Sequence, residues 1–209
     1  MPAKFIVFEG PEGGGKSLQV GRLAERLRSD GCEVVATREP GGTRVGNEIR
    51  SILLGMGDNA ILPETEVLLL AAARAQHVRE IIQPALERGA VVVCDRFVDS
   101  TLAYQGGGSG VDISSLRSIQ LFATGGLEPD IRILLDLPVQ VGLRRRHADP
   151  TSVNRIDLAN VAFHQRVREA YLNLAATAPQ RWVVIDAEET PDIVCENIWR
   201  QVRRILANA

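Results

Sequence analysis

Cysteine is scarce in this chain: Cys32, Cys94 and Cys195 stand far apart in 209 residues and form no CxxC pair. That excludes a disulfide framework and the common cysteine-based zinc centres, leaving buried, reduced thiols as the expectation. No apolar run approaches the roughly 20 residues of a membrane-spanning helix. The N-terminus also lacks the basic-then-apolar pattern of a secretory leader. Charge of one sign is not in excess, since 24 Lys and Arg face 26 Asp and Glu for a net charge of −2. A broadly basic nucleic-acid binder is thereby excluded. His77, His147 and His164 are scattered, with no partner at metal-ligand spacing, so structural or surface roles are expected for them. There is no internal repeat, low-complexity tract or long linker. The expectation is one domain over residues 1–209, in the cytoplasm, with no nucleic-acid or membrane partner.

What is present alternates. Runs rich in β-branched residues occur at Phe5 to Phe8, Val34 to Ala36, Val91 to Cys94, Ile131 to Leu135 and Trp182 to Ile185. Continuous hydrophobicity of this kind marks strands buried on both faces. Helical patterns lie between them, at about 16–29, 44–54, 63–88, 112–124, 138–147, 157–176 and 191–206. The alternation predicts an α/β fold in three layers, a five-stranded parallel sheet flanked by helices, with ligands at the carboxyl ends of the strands. Trp182, opening a strand, and Trp199, on the apolar face of the last helix, read as core. Two segments read as mobile: Gly106-Gly107-Gly108-Ser109-Gly110, and His147 to Asn154 with Asp149 and Pro150.

The first strand runs into Gly10-Pro11-Glu12-Gly13-Gly14-Gly15-Lys16-Ser17, which fits the phosphate-cradling pattern GxxxxGK[ST]. Glycines let backbone N–H groups turn onto phosphate oxygens, Lys16 reaches the β- and γ-phosphates, and the Ser17 hydroxyl suits Mg²⁺. The helix opening at Lys16 adds the positive end of its dipole. This is the P-loop NTPase arrangement, and a nucleoside triphosphate with Mg²⁺ is the expected ligand. Other polar residues follow strands: Arg38 and Glu39 precede the turn Pro40-Gly41-Gly42, and Asp95 and Arg96 end the third strand. Asp95 is placed either to help hold Mg²⁺ through hard oxygen donors or to pair with Arg96. Arginine suits a phosphate because its planar guanidinium grips two oxygens at once. Arg50 projects towards the same place or stands on the surface. Arg74, on an otherwise apolar helix, needs a polar partner or an exit to water. Asp186-Ala187 lies at the rim where an adenine ring would sit, or simply starts a helix.

The segments Glu9 to Ser17, Arg38-Glu39-Pro40-Gly41-Gly42-Thr43, Ala72-Ala73-Arg74, Asp95-Arg96-Phe97 and Ser100 to Gly106, followed by Asn154-Arg155-Ile156-Asp157 and Phe163 to Arg168, resemble thymidylate kinase in order and spacing. The resemblance implies transfer of the ATP γ-phosphate to dTMP, with Mg²⁺, by a homodimer. It implies Arg96 and Arg50 on the dTMP phosphate, Arg38 and Glu39 beside the transfer centre, Arg74 and Gln105 on the polar edge of thymine, and Tyr104 against the deoxyribose. Thr101 falls within the same substrate motif. Glu12 resembles the bacterial kind, in which the loop carries an acid and the assisting arginine comes from a lid, here about 144–157. Lys16, Arg96, Glu12 and the lid residue Arg155 are the expected catalytic set. Leu70 stands where relatives carry a phenylalanine that stacks on the base, so stacking is weaker here or supplied differently. Arg144, Arg145 and Arg146 match the lid pattern only loosely. Two rivals remain at this stage: a kinase for another monophosphate, and a switch that hydrolyses ATP or GTP, although no NKxD guanine-reading motif is present.

Overall fold

The computed structural model describes residues 3–55, 61–148 and 153–207. Five strands, β1 (Lys4–Glu9), β2 (Val34–Arg38), β3 (Val91–Asp95), β4 (Ile131–Asp136) and β5 (Trp182–Asp186), form one sheet in the order β2-β3-β1-β4-β5. Every pairing is parallel. Each predicted strand is present, extended by a residue or two into the polar residue that ends it.

The helices are α1 (Lys16–Ser29), α2 (Arg44–Leu54), α3 (Pro63–His77), α4 (Gln83–Glu87), α5 (Val98–Thr101), α6 (Ile113–Thr124), α7 (Val139–His147), α8 (Val161–Thr177) and α9 (Pro191–Ala207). Their starts have local causes. Thr43 Oγ1 accepts from Gly46 N at 2.9 Å at the head of α2, and Asn160 Oδ1 accepts from Phe163 N at 2.8 Å at the head of α8. The single helix expected over 63–88 is instead α3 and α4 joined through a π-helical turn, Val78–Ile82.

Alternate residues of β1 show why its pattern is continuous. Ile6 and Phe8 enter one core with Leu23, Leu27 and Trp199, under α1 and α9. Phe5 and Val7 enter another with Val78, Ile82 and Phe97 on the opposite face. A third cluster, Tyr104, Leu134, Tyr171 and Trp182, anchors α8. Trp182 and Trp199 are thus core, as predicted. Cys94 is buried, whereas Cys32 and Cys195 are only partly covered. Among the described residues no helix is long and apolar enough to cross a membrane.

A further prediction is corrected. Residues 98–108, given no helix by the sequence pattern, form α5 and a π-helical stretch, Leu102–Gly108. Its glycines are not a mobile run: Gly106 and Gly108 are buried. A methyl group on Gly107 would meet Ala170 Cβ at 2.5 Å, and one on Gly108 would meet Phe163 Cε2 at 2.5 Å. These glycines exist so that the turn can lie against α8. In the second segment predicted to be mobile, His147 ends α7 and Asn154 N donates to Asp157 Oδ2 at 2.8 Å. Asp149 and Pro150 lie outside the described residues.

Candidate active site

Parallel register sets three strand ends abreast, with Phe8 and Arg38 each opposite Asp95. A cleft of about 420 Å³ opens above them. The phosphate loop forms one wall. Gly10, at φ 137°, would drive a Cβ to within 2.5 Å of the Leu135 carbonyl oxygen, and Gly13, at φ 73°, lies against the backbone of Gly142 in α7. Only glycine fits either place. Glu12, Gly13, Gly15, Lys16 and Ser17 line the cleft, whereas Gly10, Pro11 and Gly14 do not. Lys16 Nζ donates to the carbonyls of Gly10 at 3.0 Å and Pro11 at 2.7 Å. Burial, and next the nearby Arg96 guanidinium, bring its ammonium down to about 8 against the pull of Glu12 and Asp95. A triphosphate would meet that need for negative charge.

Ser17 Oγ donates to Asp95 Oδ2 at 2.5 Å. These two hard oxygen donors, side by side at the head of α1, fit Mg²⁺, which characteristically takes one or two protein oxygens and completes its shell with phosphates and water. Among the described residues no group of three or more His, Cys, Asp or Glu forms a metal cluster.

Arg96 sits in the left-handed region at φ 73°, uncommon for a residue with a side chain. The surrounding bonds hold it there. Its backbone N donates to Phe8 O at 2.8 Å, Nη1 reaches Gly10 O, Ser100 Oγ and Tyr171 OH, and Nη2 reaches Glu12 Oε1 at 2.9 Å and Tyr104 OH at 3.1 Å. Burial opposes its charge, but Tyr104 and Glu12 outweigh that. In return, although burial pushes the Glu12 carboxyl up, Arg96 and Lys16 bring it down to about 2. Behind this pair lies Glu9, fully buried, accepting from Phe97 N, Ser100 Oγ and Tyr171 OH. Burial, and next Asp99, push its carboxyl up to about 7.

Arg38, Arg50, Leu70, Arg74, Thr101, Tyr104 and Gln105 also border the cleft. Arg50 Nη1 donates to Pro40 O at 3.0 Å. Arg74 is buried and finds the polar partners it requires: Nε donates to Glu39 Oε2 at 2.7 Å, Nη1 to Thr101 Oγ1 at 3.1 Å and to Gln120 Oε1, and Nη2 to Phe97 O at 2.9 Å. Glu39 also borders the cleft, yet its two oxygens are taken by Arg74 and by His77 Nδ1 at 2.9 Å. It orients the guanidinium, and His77 is a structural residue as expected. Arg155 borders the cleft with Nη2 on Glu66 Oε2 at 2.6 Å and Nε on Leu53 O at 3.3 Å. Arg146 lines it too and pairs with Asp157 at 2.9 Å. At the rim, Arg145 donates to Ala187 O at 2.7 Å and Glu188 O at 3.1 Å, tying α7 to the turn after β5.

Sequence reasoning gave no role to Glu66, Leu53, Leu54 or Gln120. Glu66 and Leu53 are ordinary helix residues by pattern, and only the packing of α2 against α3 turns them towards the cleft. Gln120 is recognisable from the other side of its bond, because a buried Arg74 demands acceptors.

Comparison with known proteins gives the family. The family model described as thymidylate kinase matches residues 8–198. A thymidylate kinase of Thermomicrobium roseum is 52% identical over 202 residues, covering 97% of this chain and 95% of the relative. One from Pseudomonas fluorescens SBW25 is 51% identical, covering 90% of each. A crystal structure of thymidylate kinase from Ehrlichia chaffeensis superposes with a TM-score of 0.78 at 31% identity, covering 97% of this chain and 99% of that one.

Proposed function

This chain belongs to the thymidylate kinase family, and on that premise we propose that its cleft passes the γ-phosphoryl group of ATP to dTMP, giving ADP and dTDP. The observation that carries this reading is the meeting, in one cleft, of a phosphate loop with a second set of guanidinium groups, Arg38 and Arg96 at strand ends and Arg50 on α2. A protein that only hydrolyses nucleotide has no use for that second set. The two sites share one domain.

In the reaction an oxygen of the dTMP phosphate attacks the γ-phosphorus of ATP while the bond from that phosphorus to the β–γ bridging oxygen breaks. No side chain need act as nucleophile, so catalysis lies in alignment and in offsetting charge. Lys16 and the loop N–H groups hold the donor. Arg96 and Arg50 hold the acceptor phosphate, Arg38 stands beside the transferring group, and Arg74 and Gln105 meet the polar edge of thymine. Tyr104, fixed through its hydroxyl to Glu12 and Arg96, supports the deoxyribose. Ser17 and Asp95 would hold Mg²⁺, which when bound neutralises charge on the donor phosphates. Arg155, with three N–H groups beyond its bonds to Glu66 and Leu53, is the lid arginine assigned to the transferring phosphoryl group. Closure over the cleft excludes water that would otherwise take the phosphoryl.

The working form is a cytoplasmic homodimer. Support for the dimer is the set of large apolar side chains left uncovered on two helices that pack together, Leu68 on α3 and Leu121 and Phe122, the last 91% exposed, on α6. ADP release measured with ATP and each of dTMP, dUMP, dGMP, dCMP and AMP tests the activity. dTMP is expected to be the best acceptor, and a better one among the rest overturns the reading.

A further inference from the structure

Gln105 is buried and borders the cleft, yet only one end of its amide has a partner. Nε2 donates to Glu66 Oε1 at 2.7 Å, while Oε1 has no hydrogen-bond partner among the described residues. The orientation of that amide is not free. An ionised carboxylate only accepts hydrogen bonds, so Glu66 draws the NH₂ end to itself and leaves the carbonyl end for whatever enters. Glu66 is itself held in place, since its other oxygen accepts from Arg155 and its side chain is 12% exposed.

Arg74 supplies the opposite polarity. A guanidinium has five N–H groups and no acceptor. Four of Arg74's are engaged by Glu39, Thr101, Gln120 and Phe97, which leaves one on Nη2. A base edge that satisfies both residues must offer an acceptor to Arg74 and a donor to Gln105. The imide edge of thymine, a C4 carbonyl beside N3–H, does so. The corresponding edge of cytosine, an amino group beside an unprotonated ring nitrogen, is reversed on both counts.

We propose that Glu66 is the positioning residue that sets the polarity of base reading, fixing the Gln105 amide so that the cleft takes an imide and refuses a cytosine. The proposal rests on the preceding assignment of dTMP as acceptor with its base against Arg74 and Gln105. Buried polar groups left facing their own kind are a strong basis for rejection, and sites built to hydrogen-bond a substrate group discriminate by as much as ~10⁴-fold. Replacing the carboxylate by an amide, in Glu66→Gln, lets the contact form with either end of Gln105 and removes the constraint.

The test is kcat/KM for dTMP, dUMP and dCMP in wild type, E66Q and E66D. In E66Q the dTMP:dCMP ratio is expected to fall by roughly 10-fold or more. The dTMP:dUMP ratio, which compares two imides, is expected to hold, and E66D, which keeps an acceptor, to retain the wild-type discrimination. A change in lid behaviour through Arg155 would move all three acceptors together and cancel from the ratios. An unchanged dTMP:dCMP ratio in E66Q overturns the role of Glu66. Wild type that itself uses dCMP as readily as dTMP overturns the substrate assignment, and that is seen without any variant. Should E66Q not fold, crystals of the wild-type dTMP complex decide: Glu66 still on Gln105, with the other amide atom on the base, supports the role, and a Gln105 turned away from Glu66 overturns it.

Discussion

Glu9 is a carboxylate with no surface, set behind the Arg96–Glu12 pair and reached by one backbone N–H and two hydroxyls. Those donors do not offset burial, so its carboxyl rises to about 7. Between the ordinary carboxylate value and about 7 the folded protein therefore holds a proton that the unfolded chain gives up. The stability this contributes is complete at low pH and is lost as pH rises through about 7. Glu9→Gln is neutral at every pH and removes the effect. Denaturant unfolding of wild type and E9Q at pH 5 and pH 8 is expected to show wild type losing ground to the variant at the higher pH, by up to about 3 kcal/mol. A difference independent of pH would mean that Glu9 is ionised throughout. The same buried acid steadies the backbone of Phe97, one residue beyond Arg96 with its left-handed φ, so a titrating group underlies the acceptor side of the cleft.

At the scale of elements, the turn Leu102–Gly108 and α8 approach so closely that two glycines have no room for a methyl group. Gly108→Ala would place Cβ 2.5 Å from Phe163 Cε2 and 3.0 Å from Val167 Cγ2. It is expected to cost about 1–3 kcal/mol as overpacking. Gly21→Ala in α1, where a Cβ meets nothing within 4 Å, is expected to gain about 0.5–1 kcal/mol from helix propensity. Thermal unfolding of the two variants reads the opposite signs; equal destabilisation by both would refute the packing explanation. The same turn marks the limit of what the sequence discloses. The five strands were legible because burial on both faces writes an unbroken apolar run, and the phosphate loop because its backbone geometry demands particular residues. Gly106 to Gly110 carries no such mark: a glycine needed for bending and a glycine needed for contact look alike until α8 is in place. Glu66 was hidden for a related reason. Its neighbour Gln105 is 39 residues away, and helical periodicity places an acid on a half-covered face without saying what lies opposite.

For the molecule as a whole, the uncovered side chains of α3 and α6 are the feature that its own core leaves unexplained. Phe122→Asp places a charge where Phe122 is 91% exposed, so the monomer fold is expected to be unharmed. Light scattering is expected to give twice the chain mass for wild type and the single chain mass for the variant, with far-ultraviolet circular dichroism unchanged. A monomeric wild type would remove the homodimer. The cleft has a consequence of its own. Arg74, Arg96 and Arg155 already face Glu39, Glu12 and Glu66, whereas Arg38 and Arg50, which border the same cleft, have no carboxylate partner among the described residues. An arriving dianion is drawn from solution by the two guanidinium groups that no carboxylate balances, while the other three are already paired. Raising the ionic strength should then raise the Michaelis constant for the acceptor, though by less than the number of arginines suggests, because only the unpaired guanidinium groups pull at a distance.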